Sequence, residues 1–399
     1  MDYRTQAISI NSARALYALN WFNIAPDLSY ISKDLNLQLI QLGVITTGFY
    51  VGLSLFQMVG GLLASKITNR LTSFIGLVIL GSSVIATAHS YNLAELLISR
   101  TSAGIGSALF FSPALGLLAE IVPAEKYAFH VGVFNGSFNL GAGLGIIGWN
   151  ELDIYFGWRT PLTMAGLGLI ALALENYIVL RGSSQKNRQG GNIFKRAGRV
   201  LRQREIWLLP IFALAAILSE TVVGQLLVYY LESAITMSST SASTSGTIYM
   251  FVGFLGGLAG GSLFRKTANV IRTFWVLTLA TALMIGLIGL IRSLILIDVV
   301  AGLLGIMTVN GFSMLYTMTT MAVEDKGMVS FSLAIVNFIQ NLIGSLSPTI
   351  FSVVAFYHGF SISWGTMGLM AAAATLSYFP MRHQLRTVIS SSPAPSNVQ

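Results

Sequence analysis

Three ionisable side chains, Glu220, Asp27 and Arg100, stand inside long apolar stretches of this 399-residue sequence. Ionisable groups are costly in a hydrocarbon environment and mark ion or substrate pathways there. Because burial favours the neutral form of a carboxyl group, Glu220 is predicted to bind and release a proton, and Asp27 is a second proton-coupling candidate. Arg100 could pair with either carboxyl group or hold an anionic substrate. The alternative role for Glu220 is that of a structural partner for a basic side chain.

Tyrosine and amide side chains form polar stripes at helical spacing along several apolar stretches. Amide groups offer both hydrogen-bond donors and acceptors, which suits a polar organic solute. The alternative is that they join helices to one another, at roughly 0.6 kcal/mol each. Together with Arg100, the side chains predicted to contact a solute are Tyr17, Asn20, Asn23, Tyr50, Gln57, Asn135, Asn139, Asn310, Asn337, Gln340 and Asn341. Arg14 and Glu175 lie nearer the ends of their stretches, and we expect both to extend toward lipid headgroups.

The composition indicates which environment holds these side chains. Hydrophobic residues make up 54% of the chain and charged residues 10%, whereas a soluble domain has about 25% charged residues. This balance excludes a soluble core and predicts an all-α membrane protein in a lipid bilayer. The net charge of +8 does not indicate a nucleic-acid partner, because the basic residues fall in short clusters at the ends of apolar stretches.

The residue types also restrict the chemistry. The chain has no cysteine, and its four histidines lack metal-ligand spacing. The sequence contains no G-x-x-x-x-G-K-[ST] motif for ATP. An integral-membrane enzyme would need His, Asp or Glu clustered near one membrane face, and no such cluster is present. We therefore expect no catalytic residue, no metal and no cofactor.

The apolar stretches have the length of membrane spans. A spanning helix requires about 20 predominantly apolar residues. Twelve stretches of this kind are predicted, at 10–31, 42–64, 71–89, 93–121, 128–149, 160–180, 206–231, 245–264, 273–291, 294–321, 328–356 and 362–380.

The basic residues between the spans predict the orientation. If the N-terminus is cytoplasmic, the outside segments hold only Lys33, Arg100, Arg159 and Arg292. The inside segments then carry the larger clusters: Arg4, Lys66, Arg70, Lys126, the run from Arg181 to Arg204, Arg265, Lys266, Arg272, Lys326, Arg382 and Arg386. The positive-inside bias thus predicts a multi-pass cell-membrane protein with both termini in the cytoplasm.

The two parts of the chain resemble each other. A shift of 200 residues sets Gly60, Gly61, Leu63 and Lys66 on Gly260, Gly261, Leu263 and Lys266, and a shift of 202 sets Asn135 and Asn139 on Asn337 and Asn341. Such repeats are typical of proteins with a midplane site between two halves. The predicted organisation is an N-terminal six-helix bundle (1–180), a basic cytoplasmic linker (181–205), a C-terminal six-helix bundle (206–381) and a cytoplasmic tail (382–399).

Several motifs carry a family resemblance. After the second span, "GGLLASKITNR" resembles a cytoplasmic loop motif through Gly61, Lys66 and Arg70, although Ser65 replaces an aspartate and Thr68 a glycine. "LISRTSAGIGSA" contains Arg100 in an Arg-x-x-x-Gly-x-Gly pattern, and "GAGLGIIGW" resembles a glycine-rich antiporter motif with Ile146 in place of its proline. "FGWRTP" (156–161) is a further sequence that carries the resemblance. Over essentially its whole length the chain resembles the major facilitator superfamily.

The resemblance implies two pseudo-symmetric six-helix bundles, a cavity surrounded by spans 1, 4, 7 and 10, and a cytoplasmic gate motif at Gly61, Lys66, Arg70, Gly261 and Lys266. It implies secondary transport by alternating access. The expected solute is a small polar or anionic organic molecule, with proton-coupled symport as one form and the monomer as the working unit. Proton-coupled export of drugs or amphiphiles is an alternative, and a membrane sensor without flux is an alternative of another class.

Overall fold

The computed structural model describes residues 2–181, 198–266, 270–323, 328–377 and 379. Within these ranges the regular structure is helical throughout. The first group of helices comprises α1 (Tyr3–Phe22), α2 (Ile24–Asp34), α3 (Leu39–Lys66), α4 (Asn69–Ala88), α5 (Leu93–Ile121), α6 (Ala124–Phe156) and α7 (Arg159–Val179). The second group comprises α8 (Arg204–Phe212), α9 (Leu214–Leu218), α10 (Gly224–Ser233), α11 (Ser239–Lys266), α12 (Val270–Ile288), α13 (Leu294–Ala322), α14 (Val329–Ser345), α15 (Ser347–His358) and α16 (Phe360–Ala374). We call these groups the N-terminal half and the C-terminal half.

Nine segments among the described residues are long and apolar enough to cross a membrane. They are Leu39–Ala64, Asn69–Ala88, Leu93–Ile121, His130–Phe156, Arg159–Val179, Leu214–Ser233, Ile271–Ile288, Leu294–Thr320 and Phe331–His358. The predicted span 10–31 is outside this set and is divided between α1 and α2 at Asn23. The predicted span 362–380 corresponds to α16, which has 15 residues before a short 3₁₀ turn.

The predicted span 206–231 is a broken helix. α8 contains Pro210, whose ring nitrogen cannot donate the backbone hydrogen bond of a helix. After α9, residues Ser219–Val223 form a π-helical turn that leads into α10. Single π-helical turns insert a residue into the ladder and occur frequently at functional sites. Glu220 lies in this turn.

Small residues allow equivalent helices to approach closely in both halves. On α5, a Cβ atom at Gly104 would overlap the carbonyl oxygen of Phe49 on α3. On α13, a Cβ atom at Gly305 would overlap the carbonyl oxygen of Tyr249 on α11. These two contacts are related by shifts of 200 and 201 residues, so the internal repeat of the sequence is also a repeat of helix packing.

The two halves meet along α6 and α11, along α3 with α14 and α15, and along α2 and α10. The last residues of α2, α6 and α10 lie at one end of the bundle, which we call the distal end. The first residues of α1 lie at the opposite end, which we call the terminal end. Hydrogen bonds between the halves lie from the middle of the bundle toward the distal end. They join Ser29 to Glu232, Thr47 to Thr349, Glu151 to Thr240, and the hydroxyl of Thr247 to the carbonyl of Gly143. The halves are therefore held together at the distal end.

Candidate functional site

A cavity of about 240 Å³ lies between the two halves. Its lining comes from α1, α3, α5 and α6 of the N-terminal half and from the π-helical turn, α11, α13 and α14 of the C-terminal half. Among the described residues, α4, α7, α12 and α16 contribute nothing to the wall. The lining residues of α1 and α6 extend from the middle of the bundle toward the terminal end. The hydrogen bonds between the halves extend from the middle toward the distal end.

Aromatic side chains form much of the cavity wall. Leu53, Met250 and Val309 add further apolar surface. Such a wall favours flat, apolar parts of a ligand, because ring contacts add roughly 0.5–1.5 kcal/mol to simple area burial. The rings belong to Tyr17, Trp21, Phe111, Phe138, Tyr249, Phe254, Phe312 and Tyr316.

Six of the predicted solute-contacting residues line this cavity. They are Tyr17, Gln57, Asn135, Asn139, Asn337 and Asn341. The paired asparagines of the internal repeat thus face one space from α6 and α14. The Tyr316 hydroxyl donates a 2.7 Å hydrogen bond to the Asn337 side-chain oxygen, and the Asn341 amide nitrogen donates to the Asn337 carbonyl at 2.9 Å. These contacts orient the amides on α14.

The other six predicted solute contacts are buried away from the cavity wall. Three of them bond to backbone carbonyls: Asn20 to Leu16 at 2.8 Å, Asn310 to Ile306 at 2.8 Å and Gln340 to Ala213 at 3.1 Å. The other three, Asn23, Tyr50 and Arg100, are also buried. Helical spacing alone does not separate the two sets, because a polar side chain satisfied by its own helix can share a stripe with one that faces the cavity.

Glu220 and Arg14 are the charged residues of the described cavity wall. The π-helical turn that carries Glu220 is held by Ser219, which hydrogen-bonds to the Tyr249 hydroxyl at 3.1 Å and accepts from the Thr308 hydroxyl at 2.7 Å. These bonds fix the position of the turn relative to α11 and α13. Glu220 lines the cavity from this turn.

The position of Arg14 near the end of its span predicts that it extends toward lipid headgroups. This prediction is wrong, because Arg14 is 6% exposed and lines the cavity. Arg14, Tyr17 and Trp21 are spaced three and four residues apart and share one helix face, which is the signal that could have identified it. Glu175, for which the same expectation was made, is exposed on α7 and accepts a 2.9 Å hydrogen bond from Ser9.

Asp27, the second proton-coupling candidate, is fully buried outside the cavity wall. Its neighbours are Asp153 on α6 and Arg100 on α5. The guanidinium of Arg100 lies 4.8 Å from the ring centroid of Phe49. These residues form a polar cluster in the N-terminal half, separate from the cavity that holds Glu220.

The predicted gate motif is divided between two environments. Gly61 and Lys66 are exposed at the terminal end. Arg70 donates hydrogen bonds of 2.8 and 2.5 Å to the carbonyl of Tyr177 and stacks 3.7 Å from the centroid of its ring. Arg70 therefore ties α4 to α7 within the N-terminal half. The surroundings of Gly261 and Lys266 lie outside the part of the chain that the structure describes.

Comparison with known proteins gives the family. Residues 10–348 match the family model described as Major Facilitator Superfamily. The chain is 29% identical over 173 residues to the Quinolone resistance protein NorA of Staphylococcus aureus, across 42% of this chain and 43% of that protein. It is 29% identical over 189 residues to Citrate exporter 1 of Aspergillus niger, across 45% of this chain and 36% of that protein. The chain thus matches less than half the length of these relatives.

The fold matches solved structures over nearly the full chain. A bacterial homolog of the human lysosomal transporter Spinster, in an inward-facing and unoccupied conformation, superposes with a TM-score of 0.78 at 15% identity over 99% of both chains. The occupied inward-facing form gives a TM-score of 0.77 at 16% identity. At this identity the likeness establishes the fold alone. With the family match over residues 10–348, the chain belongs to the major facilitator superfamily and is a multi-pass membrane protein.

Proposed function

We propose that this transporter exports amphiphilic organic solutes with aromatic parts, in exchange for protons that bind Glu220. The observation that carries the proposal is the cavity between the halves, whose wall contains eight aromatic side chains and one carboxyl group among its described residues. The purely polar solute expected from the amides fits this wall less well. The amides remain as hydrogen-bonding groups for the polar part of an amphiphile.

The names of the relatives support an organic solute and export. One is called a quinolone resistance protein and the other a citrate exporter. A wall with aromatic side chains suits a quinolone, which has aromatic rings, whereas citrate has no ring to stack. Uptake of a small polar or anionic solute is the second candidate, and the amides at Asn135, Asn139, Asn337 and Asn341 favour it.

Alternating access supplies the transport mechanism. Hydrogen bonds such as that between Thr47 and Thr349 close the distal end, while the cavity extends toward the terminal end. If the basic loops lie inside, as the positive-inside bias favours, the terminal end is cytoplasmic and this conformation is inward-facing. The bodies that rock are 1–180 and 206–381, joined by the linker 181–205. We further propose that the transporter works as a monomer in the cell membrane, with the tail 382–399 in the cytoplasm.

Proton coupling is assigned to Glu220 because of where it stands. A carboxyl group in a largely apolar cavity is readily neutralised by a proton, since the charged form loses its hydration. The cavity reaches one side of the membrane at a time, so the proton would enter from one side and leave to the other. Asp27 remains a second candidate within the buried cluster of the N-terminal half.

Proteoliposomes with an imposed pH gradient test this function. We expect the wild-type protein to concentrate a fluorescent quinolone against its gradient, and Glu220→Gln to lose this accumulation while retaining exchange of the same probe without a gradient. Glu175→Gln is the matched control, because Glu175 is exposed on α7 and outside the cavity wall. Undiminished accumulation by Glu220→Gln would remove the coupling role. Movement of citrate but of no aromatic probe would favour the polar-solute alternative.

A further inference from the structure

Arg14 stands inside a cage of aromatic rings on the cavity wall. Its guanidinium carbon lies 4.4 Å from the ring centroid of Phe138, 4.7 Å from that of Tyr17, and 4.8 Å from those of Phe111 and Phe134. The cage is formed by α1, α5 and α6, all of the N-terminal half. Cation–π contacts stabilise the charge of a guanidinium in such surroundings.

The cage leaves part of the hydrogen-bonding capacity of Arg14 unused. The Nε and Nη1 atoms are buried and make no hydrogen bond. A guanidinium carries five N–H donors, and buried donors without an acceptor are costly. The faces of the rings offer a favourable field, and the Tyr17 hydroxyl interacts with the guanidinium. The Nε and Nη1 atoms nevertheless lack an acceptor.

Glu220 does not supply this acceptor. It lines the same cavity from the other half and attracts the positive charge of Arg14. The two side chains nevertheless form no ion pair, because their charged atoms are not within 4.0 Å of each other. A ligand anion with two oxygens in one plane would match the guanidinium in bidentate geometry.

We propose that Arg14 is the anion-binding residue of the cavity and that the transported solute is an aromatic carboxylate. The carboxylate pairs with the N–H groups of Arg14, and the ring of the solute packs among the aromatic side chains of the wall. This inference rests on the proposed function, since it names the substrate class of the same cavity. It does not depend on proton coupling, because binding needs no gradient.

A matched pair of probes tests the proposal by equilibrium binding to the purified, detergent-solubilised transporter. The probes are 2-naphthoate and its neutral isostere 2-naphthamide, which share the ring and differ in charge. We expect the wild-type protein to bind the carboxylate about tenfold more tightly than the amide, since a charge-assisted hydrogen bond is lost with the amide. Equal affinities for the two probes would overturn the proposal without any variant.

Variants at Arg14 then test whether this residue causes the preference for the carboxylate. We expect Arg14→Gln to remove the preference for 2-naphthoate while leaving 2-naphthamide binding within about twofold of wild type, and Arg14→Lys to restore part of it. Parallel loss of both probes in Arg14→Gln and Arg14→Lys would mean that Arg14 only supports the structure, and would overturn the inference. If the preference is present but a pH gradient drives no transport, the proposed coupling fails and the anion site stands.

Discussion

The hydroxyl groups of Thr47 on α3 and Thr349 on α15 lie 2.8 Å apart and form a hydrogen bond between the two halves. The neighbouring backbone is equally close: a Cβ atom at Gly43 would overlap the side chain of Ser352. Only small side chains fit along this contact. It is a place where the two halves touch directly, and it must separate if the distal end opens.

A disulfide at this contact is expected to stop transport. The sequence contains no cysteine, so Thr47→Cys with Thr349→Cys introduces a single pair at a spacing that suits a disulfide. Oxidation would hold the distal end closed and prevent alternation. We expect solute exchange in proteoliposomes to fall to background after oxidation and to return after reduction.

The control pair is Thr87→Cys with Ser99→Cys. The hydroxyls of Thr87 and Ser99 lie 3.0 Å apart on α4 and α5, both within the N-terminal half. This disulfide crosses no boundary between the halves, so exchange should persist after oxidation. Full exchange by the cross-linked Thr47–Thr349 variant would show that the distal end need not open.

Gly104 is expected to be intolerant of even a methyl group. A Cβ atom there would overlap the carbonyl oxygen of Phe49, and backbone cannot move aside as a flexible side chain can. We expect Gly104→Ala to lower the stability by about 1–3 kcal/mol, measured as thermal unfolding in detergent. Gly148→Ala is the control, since a Cβ atom added at Gly148 on α6 would meet no atom within 4 Å, and its stability should be unchanged or raised by up to about 1 kcal/mol. Equal unfolding temperatures for the two variants would contradict this packing.

We expect Arg70 to stabilise the fold through its planar guanidinium. Neither its charge alone nor its position in the motif accounts for this role. Its guanidinium bonds to the Tyr177 carbonyl through two nitrogens and stacks on the Tyr177 ring. Arg70→Lys keeps the charge but loses the planar fork and the stacking surface, so it should lower the unfolding temperature nearly as much as Arg70→Ala. Lys66→Ala, at an exposed position nearby, should leave the unfolding temperature unchanged. Full recovery by lysine would indicate that the charge alone matters.

We expect Arg159 to contribute more than Asp34 to the free energy of unfolding, although the two residues form one ion pair. The Arg159–Asp34 distance is 2.9 Å and both side chains are partly exposed. Arg159 also donates to the carbonyls of Ala88 and Ser90 at 2.8 and 2.9 Å. Asp34→Asn should therefore change the free energy of unfolding by less than about 1 kcal/mol.

Arg159→Ala also leaves two carbonyls without their donor, so it should cost about 1–3 kcal/mol. Denaturation in detergent compares the two variants directly. A larger loss for Asp34→Asn than for Arg159→Ala would refute this division of roles. The role of the "FGWRTP" sequence would then have to be something other than the hydrogen bonds from Arg159 to the carbonyls at the end of α4.

The membrane character and the positions of most helices follow from the sequence by itself. An isolated span must satisfy its backbone hydrogen bonds within its own helix and present apolar side chains to lipid. Both demands are local, and a run such as 93–121 therefore coincides with α5. The repeat of Asn135 and Asn139 at Asn337 and Asn341 is likewise visible without coordinates, and these asparagines do line the same cavity.

Only the tertiary structure decided which polar side chains reach the cavity. Asn20 and Tyr17 share a stripe of α1, yet Asn20 bonds to the Leu16 carbonyl while Tyr17 lines the wall. The π-helical turn at Ser219–Val223 changes the direction in which later side chains of that span point, and no pattern in the sequence predicts it. The spacing of Arg14, Tyr17 and Trp21 indicates a shared helix face, but the cage around Arg14 also needs rings from α5 and α6, which only the packing of distant segments supplies. Contacts between distant segments depend on how helices rotate and cross, and the apolar periodicity of one helix does not contain that information.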